Sequence, residues 1–463
     1  MIKRLILCFT VIYLTLSCNN NSFTNLTPAL KVSDNGRFLE TETGDPFFWL
    51  GDTGWLLFSK LSREEADLYL EDRRQKGFNV IQVMVVHDVM KSVNFYGDSS
   101  LVNHALDNPL ITSGNSFEDP VQYDFWDHAD YIIDLARRKG IYMALVPVWG
   151  SNVRGGKVTI EQAEKYAKWL SDRYKDRPNV IWVNGGDVKG SDSLSIWNKI
   201  GRTLRTNTSG QLITYHPFGR TQSSEWFHNE EWLDFNMFQS GHRRYDQDTS
   251  GLVYGEDNWR YAVVDYSKTP VKPTLDAEPS YEGIPQGLHD PSQPYWNDTD
   301  VRRYAYWSVF AGGCGFTYGH NAIMQFHREG DKDAAYGVKD TWNTALSAPG
   351  ASAMIHLKNL ILAGTFTDRV PAQELLSGVQ GEKYDYIAAT RGSDYAFFYT
   401  CNGSDINVDC NKLQWAQFSS RWYNPRTGES LQLATIGCNT TVLFKAPGEK
   451  INGNDWVLVL NRK

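Results

Sequence analysis

The chain has 463 residues, 41% of them hydrophobic and 22% charged, which excludes a disordered chain and is typical of a globular protein. Its 46 basic and 54 acidic residues leave a net charge of −8, which argues against nucleic acid as a partner. Aromatic residues make up 13% of the chain, which suits either a large aromatic core or a sugar-binding cleft; composition alone favours the core.

The N-terminus has the pattern of an export signal. Lys3 and Arg4 precede an apolar run at 5–16 that is too short to cross a bilayer. Residues 15–18 then resemble a bacterial lipobox, in which the cysteine is lipidated. We therefore expect a lipoprotein signal peptide at 1–18 and a lipid anchor on Cys18, at the outer membrane or cell surface or on the periplasmic face. An ordinary signal peptide with an incidental cysteine is the alternative.

From about residue 47, short β-rich runs alternate with helical runs. Ser62 and Glu65 form a capping box for a helix that ends at Gly77, and a buried strand follows. Thr159 and Gln162 begin a second capped helix in the same way. The eight predicted strands lie at 47–50, 78–86, 141–146, 180–183, 212–215, 235–238, 274–277 and 315–318. Such alternation predicts parallel βαβ units, and eight of them indicate an α/β fold, a (β/α)8 barrel, over residues 28–365.

After about residue 366 the pattern changes to apolar runs separated by Gly, Asn and Asp turns. This pattern predicts a small antiparallel β-sandwich domain at 366–463. Export would place the remaining cysteines in an oxidising compartment. Cys401 and Cys410 flank a predicted turn, so we expect that a local disulfide can form between them. No Cys/His spacing matches a zinc site.

The active site of such a barrel lies at the carboxyl ends of its strands. The candidate residues are therefore those that follow each apolar run. In chain order they are Asp52, Trp55, His87, Trp149, Asp187, His216, Gln239, His242, Glu278, Tyr281, Glu282 and His320. Together these side chains predict a polar cleft with aromatic walls.

Two of the candidates are carboxylates that follow the fourth and seventh strands. Asp187 comes after two glycines, which let the backbone approach a ligand closely, and Glu278 lies across the barrel mouth. Glycoside hydrolysis needs one acid to protonate the leaving oxygen and one carboxylate to attack the anomeric carbon. Taken singly, Asp187 is equally well explained as a helix cap and Glu278 as a salt-bridged loop residue. As a pair they favour catalysis, with Glu282 as the alternative nucleophile.

The other candidates have structural explanations of similar weight. His87, His216 and His320 would bind sugar hydroxyls or adjust the carboxylates, or are buried structural histidines. Trp55 and Trp149 would stack on a sugar or pack the barrel rim, and Asp52 would hold a hydroxyl or cap its own loop. Gln239 and Tyr281 complete the predicted substrate-binding set. No phosphate-binding loop, dinucleotide fingerprint or metal-binding His-x-His at the first strand is present, so no metal or organic cofactor is expected.

At these residues the sequence resembles a known family. The stretch Phe-Trp-Leu-Gly-Asp-Thr-Gly-Trp at 48–55, the run at 73–82 and Asn-Gly-Gly-Asp at 184–187 resemble the apiosidase-like catalytic domain, glycoside hydrolase family 140. The segments at 421–428 and 455–458 are similar to the β-domain that accompanies it, which carries a collagen-binding label.

The resemblance covers about residues 28–463. It implies a (β/α)8 barrel in a lipid-anchored polysaccharide-degrading enzyme that cleaves at D-apiose in the pectin rhamnogalacturonan II. It also implies that Asp187 is the acid/base and Glu278, in Asp-Ala-Glu-Pro at 276–279, is the nucleophile. Related retaining barrels carry Asn-Glu after the fourth strand, so Asp187 is a shorter side chain than is usual there.

The sequence thus predicts an exported retaining glycoside hydrolase whose partner is a plant cell-wall polysaccharide or oligosaccharide. One alternative is an endo-β-glycanase acting on another plant glycan. The other is a non-catalytic glycan-binding surface lipoprotein. Two carboxylates at catalytic separation in the cleft would favour an enzyme, whereas a blocked cleft with an aromatic strip elsewhere would favour a binding protein.

Overall fold

The computed structural model describes residues 27–208, 210–378, 380–438 and 440–463. The predicted signal peptide and its Cys18 lie outside these residues. Among the described residues, none of the helices has the length and apolar character needed to span a membrane.

The central element is a parallel sheet of eight strands, which confirms the predicted barrel. In chain order the strands are Trp49–Thr53, Val80–Val86, Tyr142–Val148, Val180–Gly185, Ile213–His216, Asn236–Phe238, Thr274–Asp276 and Gly315–Tyr318. Around the sheet they follow the order fifth, fourth, third, second, first, eighth, seventh, sixth. The fifth and sixth strands are therefore the two ends of the ladder. Asp234 N donates to Ile213 O at 2.9 Å and Thr214 Oγ1 donates to Phe235 O at 2.7 Å, which brings these ends together.

Helices follow the strands and cover the outside of the sheet. Their bounds are Leu57–Lys60, Arg63–Gln75, Phe125–Arg138, Gly150–Arg154, Ile160–Tyr174, Leu194–Asn207, Ser224–Phe227, Trp259–Tyr266, Asp298–Phe310, Asn321–Met324, Trp342–Ala345 and Pro349–Leu362. The two predicted capping boxes, at Ser62 and Thr159, are confirmed. Each satisfies backbone N–H groups that the first helical turn leaves without partners.

The first predicted strand, at 47–50, is displaced by two residues. Pro46 and Phe47 pair instead with Glu40 and Leu39 in a small antiparallel sheet that precedes the barrel. This sheet consists of Leu30–Val32, Leu39–Thr41 and Pro46–Phe47. The apolar run at 47–50 therefore contributes to two sheets, and hydrophobicity alone could not show at which residue one strand ends and the next begins.

The C-terminal region is a second, all-β domain, as predicted. Its strands are Val370–Pro371, Ala388–Arg391, Tyr395–Thr400, Ile406–Asp409, Gln417–Tyr423, Ser430–Gly437, Thr441–Phe444 and Trp456–Arg462. Six of them form one antiparallel sheet, and the pair Ile406–Asp409 and Thr441–Phe444 forms another. Alternate residues of Tyr395–Thr400 belong to different cores: Phe397 packs with the barrel, whereas Phe398 packs inside the domain.

Buried polar contacts also join the two domains. Arg302, on helix Asp298–Phe310, donates from Nε to Asp455 Oδ2 at 2.9 Å and from Nη2 to Asp455 Oδ1 at 3.2 Å. Tyr306 of the same helix stacks on Tyr399, with ring centroids 4.7 Å apart. Arg369 donates to the carbonyls of Val309 and Gly313. The C-terminal domain is thus packed on the barrel through a continuous core.

The expected disulfide between Cys401 and Cys410 is not formed, and both cysteines are free. Cys401 belongs to the core shared with the barrel, and its Sγ donates to Tyr384 O at 3.1 Å. Cys410 belongs to the internal core of the C-terminal domain. The prediction was wrong because Cys401 follows a strand of the main sheet, whereas Cys410 begins a short 3-10 helix after a strand of the two-stranded sheet, so the turn between them separates the two side chains.

Replacing Asp455 with alanine should destabilise the whole protein. The change leaves the Arg302 guanidinium buried without its bidentate partner, which costs about 3–5 kcal/mol of unfolding free energy. Urea unfolding followed by circular dichroism measures the loss. Asp394→Ala, at an exposed turn of the same domain, is the control and should stay within about 0.5 kcal/mol of wild type. Equal urea midpoints for the two variants would contradict this role.

Candidate active site

A left-handed turn at the end of the fourth barrel strand positions Asp187. Gly185, Gly186 and Asp187 have consecutive φ values of 89°, 107° and 56°. Gly186 N donates to His216 O at 3.0 Å, and Tyr215 OH donates to Val188 O at 3.0 Å. The turn is therefore fixed to the fifth strand on both sides of Asp187.

Neither Gly185 nor Gly186 has room for a side chain. A Cβ on Gly186 would lie 2.5 Å from the Trp149 ring, and one on Gly185 would lie 2.6 Å from His216 O. Positive φ values add a steric penalty for any other residue. The Gly-Gly pair thus lets the backbone pass directly against the ring of Trp149.

Glu278 follows the seventh strand and lies between two imidazoles. His242 Nε2 is 3.1 Å from Glu278 Oε1, and His216 Nε2 is 3.1 Å from Oε2. His242 Nδ1 accepts a hydrogen bond from Tyr281 N at 3.4 Å, so its proton is on Nε2, which donates to the carboxylate. Both oxygens of the buried carboxylate are thus held in place.

The two carboxylates are close to each other. One oxygen of Asp187, one oxygen of Glu278 and one ring nitrogen of His216 all lie within 4.8 Å of one another. Retaining glycosidases place their carboxyl groups about 5–5.5 Å apart, and inverting ones about 6.5–9.5 Å apart. This closest approach of the oxygens is nearer to the retaining range than to the inverting one.

The surroundings of the two carboxylates shift their pKa values in opposite directions. Burial, followed by the negative charge of Glu278, raises the pKa of Asp187 to about 6. Burial alone would also raise the pKa of Glu278, but the contacts of His216 and His242 outweigh it and hold that pKa well below its usual range. One group is thus suited to carry a proton and the other to stay ionised.

Comparisons with known proteins agree with this geometry. Residues 33–368 match the family model described as "Apiosidase-like, catalytic domain". The chain belongs to the apiosidase-like family. Residues 370–461 match a second model, described as "Putative collagen-binding domain of a collagenase". No curated protein matches the chain.

Two solved structures are similar over nearly the whole chain. One, named "Glycoside hydrolase", is 43% identical over 94% of this chain and 97% of its own, with a TM-score of 0.89. The other, a glycoside hydrolase family 5 protein from Bacteroides vulgatus ATCC 8482, is 43% identical over 94% of this chain and 93% of its own, with a TM-score of 0.88. The apiosidase-like chain is therefore a glycoside hydrolase.

Several predicted site residues lie together in this apiosidase-like centre. The rings of Trp55 and Trp149 are 5.2 Å apart, and that of Trp55 is 5.3 Å from His216. The Gln239 side chain lowers the pKa of Asp187 against the larger, opposite effect of burial. The Tyr281 ring contacts that of His242 edge-on, with ring centroids 4.8 Å apart. Burial and the charge of Glu278 hold the pKa of the Tyr281 phenol well above its usual range.

The remaining predicted residues have other contacts. Asp52 is fully buried, 2.8 Å from Arg73 Nε, and accepts from Tyr69 OH. Glu282 accepts from Tyr318 OH at 2.6 Å and from Gly350 N at 3.3 Å, so it caps helix Pro349–Leu362. In the same way, His320 caps the short helix Asn321–Met324 through Nδ1. His87 is exposed on the loop that follows the second strand.

The sequence named His242 as a candidate but assigned it no role, and it did not select Tyr336. His242 was only one of several polar residues after a weak sixth strand, and nothing in the pattern pairs it with Glu278. Tyr336 comes from the long loop after the eighth strand; burial and the charges of Asp187 and Glu278 raise the pKa of its phenol. No strand-end signal marks a residue that lies on such a loop.

The donor atoms of Asp187, His216 and Glu278 are also types that bind divalent metal ions. In this enzyme, however, an imidazole already contacts each oxygen of Glu278. The arrangement is therefore explained by the two carboxylates and their imidazoles, without a metal ion.

The pH dependence of kcat/KM should be bell-shaped. As the predicted nucleophile, Glu278 has to be ionised, so activity should be lost as the pH falls through its lowered pKa. As the predicted acid/base, Asp187 has to be protonated, so activity should be lost as the pH rises through its raised pKa of about 6. Initial rates over the acid and neutral range give both limbs. The alkaline limb should flatten in Asp187→Ala; if it survives there, another group holds the proton.

Gly186→Ala should lower kcat by about 100-fold, because the new Cβ meets the Trp149 ring and displaces the turn that carries Asp187. The matched control is Gly97→Ala, which has a similar φ of +95° but no neighbouring atom within 4 Å of the added Cβ. Both variants introduce the same kind of backbone strain. Equal kcat values for the two would show that the close approach to Trp149 is not needed.

Proposed function

We propose that the protein is a retaining glycoside hydrolase that cleaves apiose-containing linkages in the pectic polysaccharide rhamnogalacturonan II. The observation that carries the proposal is the carboxylate pair: Asp187 and Glu278 approach within 4.8 Å and have pKa values shifted in opposite directions. A protein that only binds glycan has no use for such a pair.

In the first step Glu278 acts as the nucleophile. Its carboxylate attacks the anomeric carbon and forms a glycosyl ester, while Asp187 transfers its proton to the glycosidic oxygen that leaves. The imidazoles of His216 and His242 keep the carboxylate ionised and oriented before the attack. The leaving oxygen departs as a neutral hydroxyl.

In the second step Asp187 acts as a base. Once Glu278 is esterified its charge is gone, so the pKa of Asp187 falls and its carboxylate can accept a proton from water. The water oxygen attacks the anomeric carbon from the side that the leaving group occupied, and the ester bond breaks. Two inversions give a product with retained configuration.

Support for the choice of sugar comes from the family and the cleft. The apiosidase-like model spans residues 33–368, which include both carboxylates. The rings of Trp55 and Trp149 provide an aromatic wall against which the apolar face of a furanose can pack. We assign no collagen-binding role to the C-terminal domain, because one face of its main sheet is buried against the barrel. Binding of the whole protein to collagen would contradict that assignment.

Glu278→Gln and Asp187→Asn should each reduce turnover by at least about 1,000-fold and leave the fold intact. The assay is product analysis on a panel of purified pectic fractions. Release of an apiose-terminated oligosaccharide from rhamnogalacturonan II is expected. Activity restricted to another glycan would overturn the substrate assignment.

Glu282→Gln is the matched control, since it is the same substitution four residues further on. It should reduce thermal stability by weakening a helix cap, and the folded protein should keep its turnover. The reverse result, in which Glu282→Gln is inactive and Glu278→Gln is active, would reassign the nucleophile. In Asp187→Ala, added azide should give a glycosyl azide of retained configuration; an inverted product would exclude the mechanism.

A further inference from the structure

One arginine joins the two ends of the loop that carries Gln239 and His242. The start of the loop is also bonded to the end of the seventh strand, since Ser240 N and Gly241 N both donate to Glu278 O. This loop joins the sixth barrel strand to helix Trp259–Tyr266. Arg220 Nη1 donates to Ser240 O and to Gly255 O, both at 3.1 Å, and Arg220 Nη2 donates to Arg243 O at 2.9 Å. The carbonyls on either side of His242 are thus tied to the far end of the same loop.

That far end is fixed by the C-terminal domain. Gly255 is followed by Glu256, whose side chain is fully buried. Tyr384 OH, from the C-terminal domain, lies 2.9 Å from both carboxylate oxygens of Glu256. Arg303 Nη2, on helix Asp298–Phe310, donates to Glu256 Oε2 at 2.6 Å. The second domain therefore donates a hydrogen bond to the loop that carries His242.

We propose that Tyr384 is a positioning residue for catalysis: through Glu256 and Arg220 it fixes His242 against the nucleophile Glu278. The connection is short: Tyr384 bonds the side chain of Glu256, the backbone joins Glu256 to Gly255, and Arg220 bonds the carbonyls of Gly255, Ser240 and Arg243. Because residues 239–258 contain no regular helix or strand, their position depends on such contacts. The inference rests on the proposed role of Glu278.

The effect of Tyr384 on Glu278 can be separated from a purely structural role of Tyr384 between the two domains. The groups that face its carboxylate are His216, His242, Asp187 and Tyr281. If His242 moves away, Glu278 loses the hydrogen bond to its Oε1, and its ionised form becomes less favourable. The acidic limb of the pH profile should then move to higher pH, which loss of stability alone would not cause.

The experiment compares Tyr384→Phe with Tyr423→Phe. Both variants remove a hydroxyl that joins the domains, since Tyr423 OH donates to His356 O at 2.9 Å, but only Tyr384 touches the loop. Tyr384→Phe should lower kcat about tenfold, leave KM nearly unchanged and shift the acidic limb upward. Tyr423→Phe should have the same kcat, KM and acidic limb as the wild type. If Tyr384→Phe does not fold, Glu256→Gln replaces it with the same expected result.

Amide hydrogen exchange over residues 239–258 gives a readout that needs no substrate. Tyr384→Phe should exchange faster in this segment than Tyr423→Phe. Identical kcat, pH profile and exchange in the two variants would overturn the proposal. Faster exchange with an unchanged kcat and acidic limb would also overturn it, because the link would then not reach Glu278. If the wild type hydrolyses no glycan, the proposed function fails, and faster exchange would still support the link to the loop.

Discussion

The carboxylate of Glu278 is held between two imidazoles, and the chemistry of the site depends on this arrangement. Each oxygen has a ring nitrogen 3.1 Å away, one from the fifth strand and one from the loop after the sixth. The contacts favour the ionised form of a group that burial alone would protonate. Because Glu278 stays charged, the cost of placing two carboxylates side by side falls on Asp187, whose pKa is raised to about 6.

The left-handed turn that ends in Asp187 gives the proposed acid/base its position. Three consecutive residues with positive φ and two glycines without Cβ atoms bring the backbone against Trp149. The turn is fixed by the hydrogen bond from Gly186 N to His216 O, so the placement of the short aspartate side chain is set by the main chain.

Much of the fold could be predicted because it follows from local rules. Strands alternated with capped helices, so the barrel was evident, and Asp187 and Glu278 lay where the carboxyl ends of its strands meet. What could not be predicted depends on contacts between distant segments. Glu278 and Glu282 follow the same strand, and only the structure shows that the second one caps a helix. The sequence likewise placed Asp52 in the cleft, and only the structure shows that it is buried in an ion pair with Arg73.

The break in the barrel ladder has a consequence for motion. Between its fifth and sixth strands the sheet is joined by the contacts of Asp234 and Thr214 rather than by a continuous ladder. Local opening of a protein begins where few backbone hydrogen bonds must break. His216 ends the strand on one side of this seam, and His242 lies beyond the strand on the other. Local opening of the barrel between these two strands would therefore change the distance between the imidazoles of His216 and His242. The fourth and seventh strands, which precede Asp187 and Glu278, would be disturbed only later.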